Sequence, residues 1–397
     1  MSRSRVFVLA AAGLLCGGPL LSSPAAGSAR LPAGHGWSAN TPSAPGSPIT
    51  ALAAVSCLTA SDCWAVGDRF RSSSSNSGPA LIEHFARNAW HPVSAAPAQS
   101  GTLNELSGVS CLSATDCWAV GMRSGSHPGN LLEHYGARDS WTAVDSPGPQ
   151  GELSAVSCDP SDGQCWAVGT SGNFARPTSF HLVNGAWHFV SPASVQATFV
   201  QVNGVACATG DNCLMVGFAA PKHGAGLALA ERWNGHTWAR VEVAGVQVGG
   251  GSLAGVECLV GLSPTRCLAV GQTAGKGSGL IAIHPLVERW NGSSLALVES
   301  PPGHAGDYPE LKAVACAAPA ACQAVGSRGS GEDEASVLTE GWDGSGWSDE
   351  TSPSPLYGFQ TLSGVACPSP TDCWAVGEGL TRSYSGSRMI IEHFSSS

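Results

Sequence analysis

Lysine is nearly missing from this chain: three residues in 397 (Lys222, Lys276, Lys312), within a formal net charge of −10. Without a basic stripe there is nothing to hold a phosphate backbone, which excludes nucleic acid as a partner. Anionic membrane surfaces are disfavoured for the same reason. Methionine and tyrosine are also scarce, at four each, whereas glycine numbers 51 and proline 26. That balance suits short strands joined by turns rather than long helices. Catalytic signatures are missing as well. The chain has no G-x-S-x-G, H-E-x-x-H, P-loop, EF-hand or dinucleotide-binding fingerprint, and no cofactor is expected. The one marked apolar run, Val6–Leu15, is too short to span a bilayer, and no membrane insertion is expected.

That run follows Arg3 and Arg5 and precedes small-residue cleavage points at Ala25 and Ala29, so residues 1–29 read as a secretory signal. Cys16 invites a lipoprotein reading, but Leu15 stands where a lipidation motif needs a small residue. Residues 30–48, rich in Pro, Ser, Ala and Gly, read as a linker, and residues 49–397 as the folded body.

What the chain has in abundance is one stretch. Val365–Gly377, V-A-C-P-S-P-T-D-C-W-A-V-G, recurs seven times in edited form, from Val55, Val109, Val156, Val205, Val256, Val314 and Val365. The copies account for fourteen of the fifteen cysteines. Within each copy the pairs are Cys57/Cys63, Cys111/Cys117, Cys158/Cys165, Cys207/Cys213, Cys258/Cys267, Cys316/Cys322 and Cys367/Cys373. In an antiparallel hairpin such residues flank the loop and face each other at Cα distances of about 4.5–5.5 Å, which suits a disulfide. Zinc ligand pairs are usually spaced more closely, and seven two-ligand sites would each lack partners. Seven short-loop disulfides are expected, each contributing about 2–2.5 kcal/mol.

First cysteines recur at intervals of 54, 47, 49, 51, 58 and 51 residues. Each unit carries four strand-like runs. Run A ends at the first cysteine and run B starts at the second. Run C is an apolar–acidic–aromatic segment (ALIEHF, NLLEHY, LAERW, LVERW, MIIEHF), and run D opens with an aromatic residue such as Trp90 or Trp141. Asn-Gly or Asp-Gly joins C to D in four copies, as at Asn184-Gly185. Four antiparallel strands per unit, seven times, predict an all-β seven-bladed β-propeller. The last unit lacks run D, while Gly36–Pro42 is an unmatched run D at the N-terminus. The N-terminal segment is therefore expected to complete the last blade and close the ring.

These V-S-C-x5-C-W-A-V-G and L-I-E-H-W-N-G-x-x-W units resemble repeats of secreted actinobacterial proteins over nearly all of residues 36–394. The resemblance implies a kelch- or galactose-oxidase-like propeller and carries no activity. The chain departs from kelch blades in having one glycine, not two, after run B (Gly67, Gly121, Gly377).

Residues repeated once per blade read as structure. The tryptophans are expected to pack blade on blade, and the run C pairs such as Glu83-His84 and Glu133-His134 to bond between strands. Run A should line a narrow channel with small residues and one acid, Glu257. The A–B and C–D turns share one face, pinned by disulfides. The longer B–C and D–A connections share the other, and such variable loops are where binding usually resides. The candidate binding residues on that face are Arg69, Phe70, Arg123, His127, His223, His284, His304, Tyr308, Tyr357, Arg382 and Tyr384. The Glu332-Asp333-Glu334 run reads as solvated rather than as a calcium loop. The reading is a secreted, monomeric, non-enzymatic propeller recognising a cell-wall polymer, glycan or protein. The alternative is a hydrolase or lyase acting on a carbohydrate or small molecule at the channel mouth.

Overall fold

A computed structural model describes residues 35–40, 49–70, 78–136, 138–246, 249–259, 266–276, 281–298, 308–329, 334–356, 358–380 and 386–396. The signal-like segment and Cys16 lie outside them. The strands form seven four-stranded antiparallel sheets, each ordered A-B-C-D from the centre outward. The first blade is Ile49–Thr59, Asp62–Phe70, Leu81–Ala86 and Ala89–Val93. The seventh has Gln360–Ser369, Asp372–Leu380 and Ser387–Ser396, and His35–Ala39 as its outer strand, with Trp37 opposite Phe394. The closing strand thus begins one residue before the expected Gly36, and Thr41 and Pro42 lie outside the described residues.

Each blade holds one disulfide, and the pairs are those expected: Cys57–Cys63, Cys111–Cys117, Cys158–Cys165, Cys207–Cys213, Cys258–Cys267, Cys316–Cys322 and Cys367–Cys373. Their geometry corrects the expectation in one respect. The Cα atoms are 4.0–4.1 Å apart, closer than the expected 4.5–5.5 Å. In six blades the two cysteines are directly opposed across the ladder. The second cysteines flank the hairpin as expected and are also deeply buried. Cys63, Cys117, Cys165, Cys213, Cys267, Cys322 and Cys373 are only 0–4% exposed and belong to the apolar core. The reason is their place at the start of strand B, which is flanked by strands A and C. Their partners lie on the inner strand, where Cys57, Cys158, Cys316 and Cys367 stay half-buried.

Every A strand slips register against B between Leu52 and Ala54 in the first blade and at the equivalent place in the others, and five slip again beside the A–B turn. Such a bulge re-aims a side chain. The bulged residues, among them Ser107, Asn203 and Lys312, line a central bore of about 370 Å³. The bulge also explains the glycine of W-A-V-G: a Cβ on Gly67 would lie 2.0 Å from the Ala51 carbonyl oxygen. The small residue before each valine answers a different need. A Cβ on Gly364 would lie 2.9 Å from the Cα of Ala54 in the next blade. Adjacent inner strands touch, and only Gly or Ala fits between them.

The core lies between blades. Trp64, 1% exposed, stacks on His84 at 3.9 Å and meets Tyr135 and Trp141 of the next blade at 4.6 and 5.5 Å. The same arrangement recurs at Trp118, Trp166 and Trp374. His84, His134 and His393 are held by Asp62, Asp116 and Asp372 at 2.8, 2.9 and 3.2 Å.

The glutamate before each of these histidines, and before Arg232 and Arg289 in blades 4 and 5, points to the opposite face, as strand alternation requires. There it is buried against the connection arriving from the preceding blade. Ala96 N donates to Glu133 (3.0 Å), Ala193 N to Glu231 (2.9 Å), Gly245 N to Glu288 (2.6 Å) and Ser352 Oγ to Glu392 (2.6 Å). Burial pushes Glu83, Glu133, Glu231, Glu288 and Glu392 up to about 7.

Two outcomes follow from closure and from these buried acids. Trp37→Ala removes a buried ring and its Nε1 bond to Glu350 (2.9 Å). It should lower stability by about 3 kcal/mol, and deleting Arg30–Ser43 should depress the melting temperature at least as much. An unchanged melt would show that the outer strand contributes nothing to closure. The glutamates hold protons more tightly folded than unfolded. Their stabilisation is complete below about pH 4.5 and is lost as pH rises through about 7. Melting temperature should therefore be higher at pH 5 than at pH 8.5, and Glu133→Gln should flatten that dependence, as thermal melts across pH would report.

Candidate functional site

The second rung before the bulge carries a polar side chain in every blade, and it lies at the loop-face end of the bore. Glu105, Glu152, Gln201 and Glu310 come from A strands, and Asp68, Gln272 and Glu378 from the B residues paired at the same level. Five of these seven are acids. Burial drives Asp68 up to about 7, and the charges of Glu105 and Glu378 add to it. Glu105 is raised by burial and by Glu152, and Glu152 by burial. The acids crowd one another from blade 7 round to blade 3 because the inner strands converge there.

Across the mouth, over blades 4 to 6, the acids give way to amides and the surface opens into a basin of about 550 Å³. Gln201, Asn203 and Gln272 reach it from strand ends, Thr273 lies beside them, and Glu310 and Lys312 (3.9 Å apart) form the far wall. Phe218 supplies an aromatic surface. Gly226 keeps that ring in place, since a Cβ there would fall 2.1 Å from it. Asn203 is fixed by donating Nδ2 to the Leu253 carbonyl (2.8 Å), and Thr273 Oγ1 donates to the Gly250 carbonyl (3.1 Å). A rigid, strand-borne concavity with few charges can orient hydroxyl or amide groups of a ligand without reorganising. Glu310 is the basin's one carboxylate among the described lining residues, and no histidine stands beside it.

Among the described residues, the loop residues expected to bind are spread over several blades. Arg69 lines a separate cleft of about 740 Å³ against the blade 1 to 2 connection. Arg123 donates Nε to the Asn130 carbonyl (3.2 Å) and so pins its own hairpin. His127 and His223 are exposed. His284 is half-buried, one residue from Ile283 of the basin wall, and Tyr308 is 50% exposed. Phe70 ends its strand. His304, Tyr357, Arg382 and Tyr384 lie outside the described residues, as do Glu332 and Asp333; Glu334 is exposed. Sequence reasoning looked to loops and passed over Gln201, Asn203, Gln272, Glu310 and Lys312, which sit in strands. The one signal was at Asn203 and Lys312, where run A departs from its small residues.

Among the described residues, no group of three or more His, Cys, Asp or Glu is disposed to hold a metal ion. None of their helices is long and apolar enough to cross a membrane. No family model matches the chain, and no curated protein is similar to it. Three solved structures share the fold. A YCF48 bound to a D1 peptide is 13% identical, with a TM-score of 0.53 over 91% of this chain and 97% of its own. The WD40 β-propeller domain of Doa1 is 13% identical, with a TM-score of 0.54 over 91% and 98%. YCF48 from Cyanidioschyzon merolae is also 13% identical, at 0.54 over 91% and 98%. At that identity the likeness is one of fold alone, and by fold this chain is a seven-bladed β-propeller.

Proposed function

We propose that this propeller is an exported, monomeric binding protein of the actinobacterial repeat type. It recognises a cell-wall polymer, glycan or protein on its loop face. The observation that carries the reading is the basin over blades 4 to 6. Its polar groups come from strand ends and are held by the sheet, and they break a repeat that is otherwise kept for packing. Amide side chains beside an aromatic ring suit hydroxyl-rich or peptide-like ligands, which offer donors and acceptors along an apolar face. The acidic arc on the other side of the mouth repels anionic polymers and favours neutral or cationic ones. Export is supported by seven disulfides, which persist in oxidising compartments. The loop residues His284 and Tyr308 would form its outer rim, and Arg69 would contribute from the separate cleft on blade 1.

Co-sedimentation of the mature chain with purified cell walls, together with a glycan array, tests the reading. Saturable binding to one of these polymers is expected. The double variant Gln201→Ala/Gln272→Ala should weaken it about tenfold with an unchanged melting temperature. Binding that the double variant leaves intact would remove the basin from the reading. Failure of the wild type to bind any such polymer would remove the function.

A further inference from the structure

The cross-strand pair one rung beyond the second cysteine faces the next blade, and the ring fills that position unequally. Four blades place a stacked indole–imidazole pair there: Trp64–His84, Trp118–His134, Trp166–His181 and Trp374–His393. Blade 6 has Gln323 opposite Gly341, and Glu350 occupies the space, accepting from Gln323 Nε2 (3.3 Å) and Trp37 Nε1 (2.9 Å). Blade 4 has Leu214 opposite Arg232, and the Arg232 guanidinium covers the gap, 5.7 Å from the ring of Trp290.

Blade 5 has Leu268 opposite Arg289, and there the slot stays open. A cavity of about 100 Å³ remains between blades 5 and 6, walled by Leu268, Val298, Trp342 and Trp347. Trp342 and Trp347 are paired with each other as Tyr135 and Trp141 are in blade 2, the two rings that Trp64 touches. The void therefore stands where the other boundaries seat an indole. It is smaller than the apolar cavities of about 150 Å³ that hold benzene, so a ring enters it in part, with its remainder at the mouth.

Its charge is also out of pattern. In four blades the residue before the second cysteine is an acceptor for the partner on strand C: Asp62, Asp116 and Asp372 for histidines, and Asn212 for Arg232 (3.1 Å). In blade 5 that residue is Arg266. Arg266 and Arg289 both line the cavity and are both exposed, and neither has a hydrogen-bond or ion-pair partner among the described residues. The acid on the wall, Glu257, is pushed up to about 8 by burial and is mostly uncharged at neutral pH. The site is thus an aromatic slot with two unanswered guanidinium groups at its mouth.

We propose that this slot on the disulfide face binds a planar aromatic ring bearing an anionic group. The ring inserts between Leu268 and the two tryptophans, and the anion rests on Arg266 and Arg289. Aromatic walls favour a flat ring by offset and edge contacts, and guanidinium groups favour a carboxylate. The ligand is either a free aromatic acid or the C-terminal aromatic residue of a peptide, and both present that chemistry. The site is distinct from the loop-face basin and does not rest on it.

Titration of the mature chain by calorimetry, with indole-3-acetate, indole and a short peptide ending in tryptophan, tests the assignment. Indole-3-acetate or the peptide should saturate a single site at a millimolar constant or better, and indole should bind at least about fivefold more weakly. The tighter of the two anionic probes identifies the source. Leu268→Trp should abolish binding and raise the melting temperature by filling the void, with Leu268→Phe as the milder version. Arg266→Asp supplies the acceptor that blades 1, 2 and 7 carry at this place. It should weaken the anionic probes about tenfold while leaving indole unchanged. Absence of saturable binding by both anionic probes to about 10 mM would overturn the proposal. Undiminished binding to folded Leu268→Trp and Leu268→Phe would overturn it too. Equal binding of the acid by Arg266→Asp would overturn the anionic half.

Discussion

Contact between the seven inner strands is the constraint on which the rest of the structure depends. Around the bore, the Cα of Ala54 leaves no room for a side chain on Gly364, and Ala313 leaves none on Gly255. Each inner strand breaks register at the same level, and that bulge turns an additional side chain into the bore. The bulge brings the A carbonyl against strand B, which is why glycine follows W-A-V. It also sets where polar groups can gather: at the bulge itself, as with Lys312 and Asn203, and two rungs before it, where the acidic arc and Gln201 lie.

Further out, the blades are held by two contacts drawn from one tripeptide. In I-E-H or L-E-H the period of two sends histidine to one face, under a tryptophan, and glutamate to the other. The glutamate meets a chain crossing from one sheet to the next, whose N–H groups have no ladder partner. Leaving those donors unpaired in the interior would be costly. A carboxylate there would be costly too if it stayed charged, and burial raises its proton affinity instead. In blade 3, Phe180 takes the glutamate position and fills it with apolar surface, 0% exposed.

Much of this was legible in the chain itself. Trp37 could be assigned to the last blade because a repeat lacked its fourth run, and Glu83-His84 could be assigned to structure because the pair recurs. Cysteine spacing gave the pairing of Cys57 with Cys63, but not that Cys63 is wholly buried, which depends on the strands packed around it. The basin was not legible, because register is not. Gln201 and Gln272 come from different strands of neighbouring blades, and only pairing counted from the bulge puts them on one level. Single departures such as Lys312 look like drift until the bulge turns them into the bore. Loop residues such as His127 and His223 drew attention because they do not repeat, yet they stand exposed and apart.

The sequence by itself determined the repeat number, the disulfide pairs, the four-strand blade and the way the ring closes. All of these follow from local periodicity and from counting cysteines and aromatics. Tertiary structure alone decided which departures from the repeat matter. Leu214 and Leu268 replace tryptophan at the same position. At one boundary Arg232 lies over Trp290, with Asn212 to hold it; at the other Arg266 takes the place of that acceptor and a cavity remains. The physical reason is that packing between blades is set by residues about fifty positions apart. Their volumes and charges combine only once the ring is closed.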